Sequence, residues 1–174
     1  QQVETVLQKR GLNRNQLLVS ISPGAAYGSA KCYLPERFAQ LADRLTKKYD
    51  ATVILLGAPS EAPLCKEIAD LCTVPVHDLS QDIDLPCLIA LCERLGLFIT
   101  NDCGSMHIAA AMRTPLVAIF GPTDPKRTAP YDPEASIVEA IHTCGCDIAP
   151  CYKRVCPIDH RCMLRITPEH VFRE

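Results

Sequence analysis

The sequence predicts an α/β fold in which helices cover both faces of a parallel β-sheet. Short apolar segments without polar–apolar alternation recur along the chain, as expected of strands that are buried on both faces. Segments with apolar residues at helical spacing lie between them, and this alternation is typical of parallel sheets. The chain has 174 residues, which suits one domain with its own hydrophobic core.

Most of the apolar segments end at glycine or proline, which marks them as separate strands. The predicted strands are residues 17–21, 52–56, 97–100 and 116–120, with residues 74–79 as a weaker candidate. The predicted helices are residues 35–48, 61–72, 85–95 and 105–112, with a further helix that starts at Thr167. Asp84 is the predicted N-cap of the third helix. This order indicates a doubly wound, Rossmann-like domain, whose ligands bind beyond the carboxyl ends of the strands.

The predicted domain covers residues 17–174, and residues 1–16 are interpreted as a polar lead-in or linker. After Pro122 the pattern weakens, because prolines interrupt the following stretch. These are Pro125, Pro130 and Pro133. We therefore expect an irregular segment there.

Composition argues against several classes of function. Lys and Arg number 18 and Asp and Glu 20, so the net charge of -2 lacks the basic surplus of nucleic-acid-binding proteins. No apolar segment approaches the roughly 18–20 residues of a membrane span, so we expect at most peripheral membrane contact. Residues 1–12 lack the apolar stretch of a signal peptide. The 11 cysteines are therefore interpreted as reduced thiols of a cytoplasmic protein.

A cysteine-rich stretch, residues 144–162, is called here the tail segment. It contains Cys144, Cys146, Cys151, Cys156, His160 and Cys162. Soft ligands this close together suit Zn²⁺ or an iron–sulfur cluster, but their spacing does not match paired C-x2-C knuckles. The alternatives are one or two disulfides, or reduced cysteines packed on the sheet. We favour the reduced cysteines.

Three polar loops follow predicted strands and are candidates for a binding site. The first runs from Ser22 to Lys31 and includes Gly24 and Ala25, whose small size lets backbone amides approach a ligand. Amides and a lysine ahead of a helix suit a phosphate. The alternative is an ordinary turn with a surface lysine.

The second loop, residues 57–61, ends at Glu61. An acid beyond the second strand of a nucleotide-binding fold accepts hydrogen bonds from ribose hydroxyls. Helix capping explains the same acid equally well.

The third loop, residues 100–107, runs from a strand into a helix of small residues. The amides of Cys103 and Gly104 are expected to point outward at the helix N-terminus, where a pyrophosphate binds well. Asp102 is alternatively an N-cap, and His107 alternatively a core histidine. Thr123 belongs to a fourth polar loop at the same predicted edge.

Residues 23–31, 100–107 and 120–125 together resemble glycosyltransferase family 9. The resemblance covers about residues 17–172 and implies one half of a two-domain GT-B fold, namely the C-terminal domain that binds the ADP of ADP-heptose. It also implies that the acceptor, a heptosyl–Kdo–lipid A, is held by an N-terminal domain that these residues do not match. The implied reaction is inverting heptose transfer to the lipopolysaccharide inner core at the inner face of the bacterial inner membrane.

The resemblance implies roles for individual residues. Lys31 binds the phosphates and stabilises the departing ADP, and Asp102 orients the sugar or the adjacent loop; these two are the catalytic candidates. The other binding candidates are Ser22, Gly24, Ala25, Glu61, Cys103, Gly104, His107 and Thr123. No metal or other cofactor is expected to be required. The isolated chain is expected to bind ADP without catalysing transfer.

Cys103 departs from the family pattern, which usually has Ser or Thr there, so a hydroxyl contact to phosphate is weakened.

The alternative function is a non-enzymatic nucleotide-binding or interaction module on the same scaffold, because fold does not fix function. An NAD-dependent oxidoreductase is disfavoured, since no G-x-G-x-x-G follows the first strand.

Overall fold

A computed structural model describes residues 2–174. Within them the strands are β1 (Leu18–Ser22), β2 (Thr52–Leu55), β3 (His77–Asp78), β4 (Leu97–Asn101), β5 (Leu116–Phe120) and β6 (Ser136–Glu139). All pair in parallel in one six-stranded sheet with the order β3-β2-β1-β4-β5-β6. This is the strand order of the dinucleotide-binding Rossmann fold, so the predicted fold class is confirmed.

Helices lie between successive strands, before the first strand and after the last, and they pack on both faces of the sheet. They are α1 (Gln2–Lys9), α2 (Pro35–Tyr49), α3 (Ala62–Leu71), α4 (Leu85–Cys92), α5 (Gly104–Ala111), α6 (Pro125–Thr128), α7 (Arg161–Leu164) and α8 (Pro168–Arg173). Asp84 caps α4 as predicted, since its carboxylate accepts a hydrogen bond from the Cys87 amide at 2.8 Å. No helix within residues 2–174 is long and apolar enough to span a bilayer.

Strand side chains alternate between two separate hydrophobic clusters, one on each face. On one face Val19 and Ile99 pack with residues of α2, α3 and α8. On the other, Leu18 and Phe98 pack with residues of α1, α4 and α5. Burying each such side chain contributes about 1.5–3 kcal/mol to stability, so both helical layers are tied firmly to the sheet.

The structure adds elements that the sequence pattern did not predict, among them α1, β6 and the four-residue helices α6 and α7. Helix α1 lies in the segment interpreted as a lead-in or linker, and its Val3 and Leu7 are buried in the cluster that includes α4. Strand β6 lies in the stretch expected to be irregular, so that expectation was wrong there. Its four residues are too few to show a pattern, and the sequence SIVE has only two apolar residues.

Strand β3 is shorter than the predicted residues 74–79. Only His77 and Asp78 pair with β2. Pro75 lies in the predicted stretch, and its lack of an N–H prevents it from donating to the ladder.

Candidate functional site

The carboxyl ends of β1 and β4 lie side by side at the point where the strand order reverses. Their register pairs Ser22 with Thr100, so the loops that follow the two strands start next to each other. The crevice at this switch point is where open α/β sheets bind ligands. A cavity of about 380 Å³ occupies it.

Five of the predicted site residues line this cavity. They are Ser22, Gly24, Glu61, Cys103 and Gly104. They come from the loops after β1, β2 and β4, which the sequence separates by up to 82 positions between Ser22 and Gly104. The parallel sheet brings them together because it places all its strand ends on one edge.

Part of the cavity lining is apolar. These apolar lining residues come from the end of β2 and the start of α4 and include Leu56, Ile83, Leu85 and Leu88. Asp84 adds one carboxylate there, and the bond from the Cys87 amide holds the pKa of that carboxyl below its ordinary value. Apolar walls with a few polar groups are typical of small-molecule sites. The sequence predicted α4 but could not show that it covers this cavity.

Glu61 lies directly against Gly24. A Cβ atom at position 24 would be 2.0 Å from the Glu61 Oε1 atom, so only glycine leaves room for this carboxylate. Glu61 Oε2 accepts a hydrogen bond from the Ala58 amide at 2.8 Å, which caps the short turn Pro59–Glu61. The two interpretations of Glu61 are therefore compatible, since the capping carboxylate also lines the cavity.

Lys31 is buried at the end of a short 3-10 turn, Ser29–Lys31, and is 9% exposed. Its Nζ atom donates to Asp102 Oδ2 at 2.6 Å. The alternative of a surface lysine is wrong. Because α5 starts two residues after Asp102, Lys31 lies beside the predicted pyrophosphate loop.

The same oxygen of Asp102 accepts two further hydrogen bonds. Thr123 Oγ1 donates at 2.6 Å, and Thr128 Oγ1 is 3.3 Å away. Asp102 is not the N-cap of α5; Cys103 occupies that position. Thr128 was not predicted as a site residue. It is the last residue of α6, five positions after Thr123, so a search that continued from the loop into this short helix would have found it.

A chain of side-chain hydrogen bonds ties the start of α5 to both strands. Ser105 Oγ lies 3.1 Å from Ser22 Oγ and 3.0 Å from Cys103 Sγ, which in turn lies 3.1 Å from Thr100 Oγ1. The Cys103 thiol thus contacts hydroxyl groups within the protein. These contacts fix where the first amides of α5 point.

Asn101, the last residue of β4, braces the first loop. Its side-chain amide donates to the Pro23 carbonyl at 2.6 Å and accepts from the Tyr33 amide at 3.1 Å. Both ends of the lysine-bearing loop are therefore bound to one fully buried side chain.

Burial also raises the pKa of the Cys32 thiol beside Lys31, so this cysteine stays protonated near neutral pH.

Five predicted residues do not line this cavity. Lys31, Asp102 and Thr123 instead form the buried hydrogen-bonded group described above. The other two are Ala25 and His107. Ala25 is part of the first loop, and His107 is exposed on the second turn of α5. The interpretation of His107 as a core histidine is therefore wrong. The structure leaves the roles predicted for these residues untested.

All the cysteines of the chain are free thiols. Within residues 2–174, no group of three or more His, Cys, Asp or Glu side chains is arranged to hold a metal ion.

Comparisons with known proteins agree with the fold and the motifs. Residues 2–161 match the model of glycosyltransferase family 9 (heptosyltransferase). Lipooligosaccharide heptosyltransferase 2 of Campylobacter jejuni subsp. jejuni serotype O:2 is 34% identical over 172 residues, which cover 94% of this chain and 51% of that protein. Lipopolysaccharide heptosyltransferase 2 of Escherichia coli K12 is 30% identical over 172 residues, with 94% and 47% covered.

The solved structure of E. coli ADP-heptose LPS heptosyltransferase II superimposes with a TM-score of 0.81 at 24% identity, covering 99% of this chain and 49% of that one. E. coli heptosyltransferase WaaC with ADP gives a TM-score of 0.69 at 18% identity, with 91% and 43% covered. The chain spans about half the length of the curated relatives it matches. By its motifs, its family match and its relatives, the chain belongs to glycosyltransferase family 9, the heptosyltransferase family.

Proposed function

We propose that this chain is the donor-binding part of an inverting heptosyltransferase that uses ADP-heptose. The observation that carries the proposal is the cavity at the switch point, whose lining combines apolar side chains with Glu61 and with Gly104 and Ser105 at the start of α5. A nucleoside diphosphate matches this combination: an apolar base, a ribose with hydroxyls, and an anionic diphosphate. A structural neighbour, WaaC, was solved with ADP.

In this arrangement the base lies against the apolar part of the lining that contains Ile83 and Leu88, and Glu61 accepts hydrogen bonds from the ribose. The diphosphate lies at the start of α5, where backbone amides and the helix dipole favour negative charge. Lys31 lies beside it. Asp102 holds the ammonium group in place, so it needs little reorganisation when charge develops on the departing ADP.

The acceptor is a heptosyl–Kdo–lipid A, and its hydroxyl attacks the anomeric carbon of the heptose as ADP leaves. The protein half that holds the acceptor is not part of these residues. We place the reaction in the cytoplasm, with at most peripheral contact to the inner face of the inner membrane. The charge that develops on ADP is balanced by Lys31 and backbone amides, so no metal or other cofactor is required.

Calorimetric titration of the chain with ADP tests the proposal. We expect ADP to bind saturably with a Kd below about 1 mM, which corresponds to a binding free energy of only about −4 kcal/mol. GDP and UDP should bind more weakly. Absence of heat and of a thermal shift at several-fold higher ADP would refute donor binding. If ADP binds but the full-length protein transfers no heptose, the proposed enzymatic function is wrong and the chain is a non-enzymatic nucleotide-binding module.

Gly24→Ala is expected to weaken ADP binding about tenfold, because the new methyl group displaces the Glu61 carboxylate and a hydrogen bond to a charged group is lost. Glu61→Ala should produce a similar loss. The double variant should be no worse than either single one, since both remove the same contact.

The matched control is Gly96→Ala at the other end of β4, where the methyl group would meet the flexible tip of Leu17. Unchanged ADP affinity in Glu61→Ala would show that Glu61 does not contact the nucleotide. Additive losses in the double variant would show that Gly24→Ala acts by a route other than Glu61.

A further inference from the structure

The tail segment packs against the loop that carries Lys31. The Tyr27 hydroxyl donates to the Tyr152 carbonyl at 2.7 Å, and Arg154 Nε donates to the Tyr27 carbonyl at 2.7 Å. The Tyr152 amide also donates to the Pro122 carbonyl at 3.1 Å, which links the tail to the loop after β5. The tail is therefore bound to two of the loops that form the site edge.

Ala30, the residue before Lys31, is bound to the tail through both of its backbone groups. Its amide donates to the Arg154 carbonyl at 3.0 Å, and its carbonyl oxygen lies 2.8 Å from His160 Nε2. A carbonyl oxygen can only accept, so His160 must carry a proton on Nε2 to make this bond. Ala30 is 2% exposed, so water cannot readily replace either of these two hydrogen bonds.

His160 is itself held in place by the tail. Its backbone is left-handed, with φ 57°, and its amide donates to Cys156 Sγ at 3.2 Å. Together with Cys151 and Cys162 it surrounds a small cavity that reaches Ala30. The cysteines thus pack around the histidine that contacts the lysine-bearing loop.

We propose that His160 is a positioning residue for Lys31, and that the cysteine-rich tail segment sets the affinity of the site for a diphosphate through this contact. The tail fixes both backbone groups of Ala30, and this places Lys31 where Asp102 and the diphosphate meet it. The inference rests on the proposed nucleotide site and assigns a role to the tail segment within it.

The test compares His160→Leu with His160→Gln in the full chain. Both variants lose the tolerance of histidine for left-handed backbone, but glutamine keeps an N–H donor that can reach the Ala30 carbonyl. We expect ADP affinity to fall about fivefold in His160→Leu, the value of one lost hydrogen bond, and to return to within about twofold of the original in His160→Gln. Adenosine affinity should stay unchanged in both, since adenosine has no phosphate for Lys31.

Tyr27→Phe is a second variant in case His160→Leu does not fold. It removes another hydrogen bond to the tail segment, from a side chain that is exposed. It should also lower the affinity for ADP and leave the affinity for adenosine unchanged. His142→Leu, at an exposed histidine outside the tail segment, is the matched control. Unchanged ADP affinity in His160→Leu, or equal losses for ADP and adenosine, would overturn the inference.

Amide NMR signals separate this inference from the proposed function. If the unaltered chain binds no ADP, the proposed function fails. His160→Leu should nevertheless shift the amide signals of Ala30 and Lys31 and leave those of Gly96 in place. Unshifted Ala30 and Lys31 signals would show that His160 does not hold the loop.

Discussion

Lys31→Met will lower the free energy of unfolding by about 3–5 kcal/mol, because it leaves the Asp102 carboxylate buried without its counter-charge. The two side chains are 11% and 5% exposed, so water cannot replace the lost ammonium group. Thr123 and Thr128 still donate to the carboxylate, but neutral hydroxyls do not neutralise its charge. Urea unfolding at neutral pH measures the loss.

The double variant Lys31→Met/Asp102→Asn should regain part of this stability, because no unpaired charge then remains. Lys66→Met is the control: Lys66 pairs with Asp70 on the surface, and such pairs contribute about 0–1 kcal/mol. If Lys31→Met is as stable as Lys66→Met, the buried ion pair does not form in solution.

Gly28→Ala is expected to destabilise the protein by about 3 kcal/mol and to loosen the tail segment. The backbone at Gly28 has φ 157° and ψ 163°, a region that essentially only glycine occupies. A methyl group there would also lie 2.2 Å from the Arg154 carbonyl oxygen, which is backbone and cannot swing aside. The hydrogen bond from the Ala30 amide to the Arg154 carbonyl should therefore break.

Urea unfolding measures the stability loss, and hydrogen exchange of the Ala30 amide measures the loosening. Gly104→Ala is the matched control for stability, because a methyl group there meets nothing within 4 Å. Equal stability of the two variants, with Ala30 still protected, would mean that the tail does not lie this close to the loop.

Much of the sheet could be predicted because its signals are local. Leu116–Phe120 was predicted with the bounds that the structure has, and β1, β2 and β4 agree to within one residue at each end. The cap at Asp84 was also recognisable, since a capping side chain contacts an amide only three residues away. Short elements such as β6 and α7 escaped, because four residues show no periodicity.

The contacts of the candidate site were harder to predict. Strand ends could be placed on one edge by the parallel-sheet rule, so Glu61, Gly24 and Gly104 were expected near each other, and they line one cavity. The partner of Lys31, by contrast, lies 71 residues away, and the contact of His160 with Ala30 spans 130 residues. No spacing in the sequence encodes such pairs.

By itself the sequence determined that the chain forms a doubly wound α/β domain, and its loop motifs pointed to glycosyltransferase family 9. Tertiary structure alone decided that Lys31 is paired and buried, that α4 covers the cavity, and that the tail segment holds the lysine-bearing loop. The physical reason is the sequence distance over which the two kinds of interaction act. Helix and strand preferences depend on neighbours a few residues away, whereas ion pairs and loop contacts depend on which strands and helices pack together.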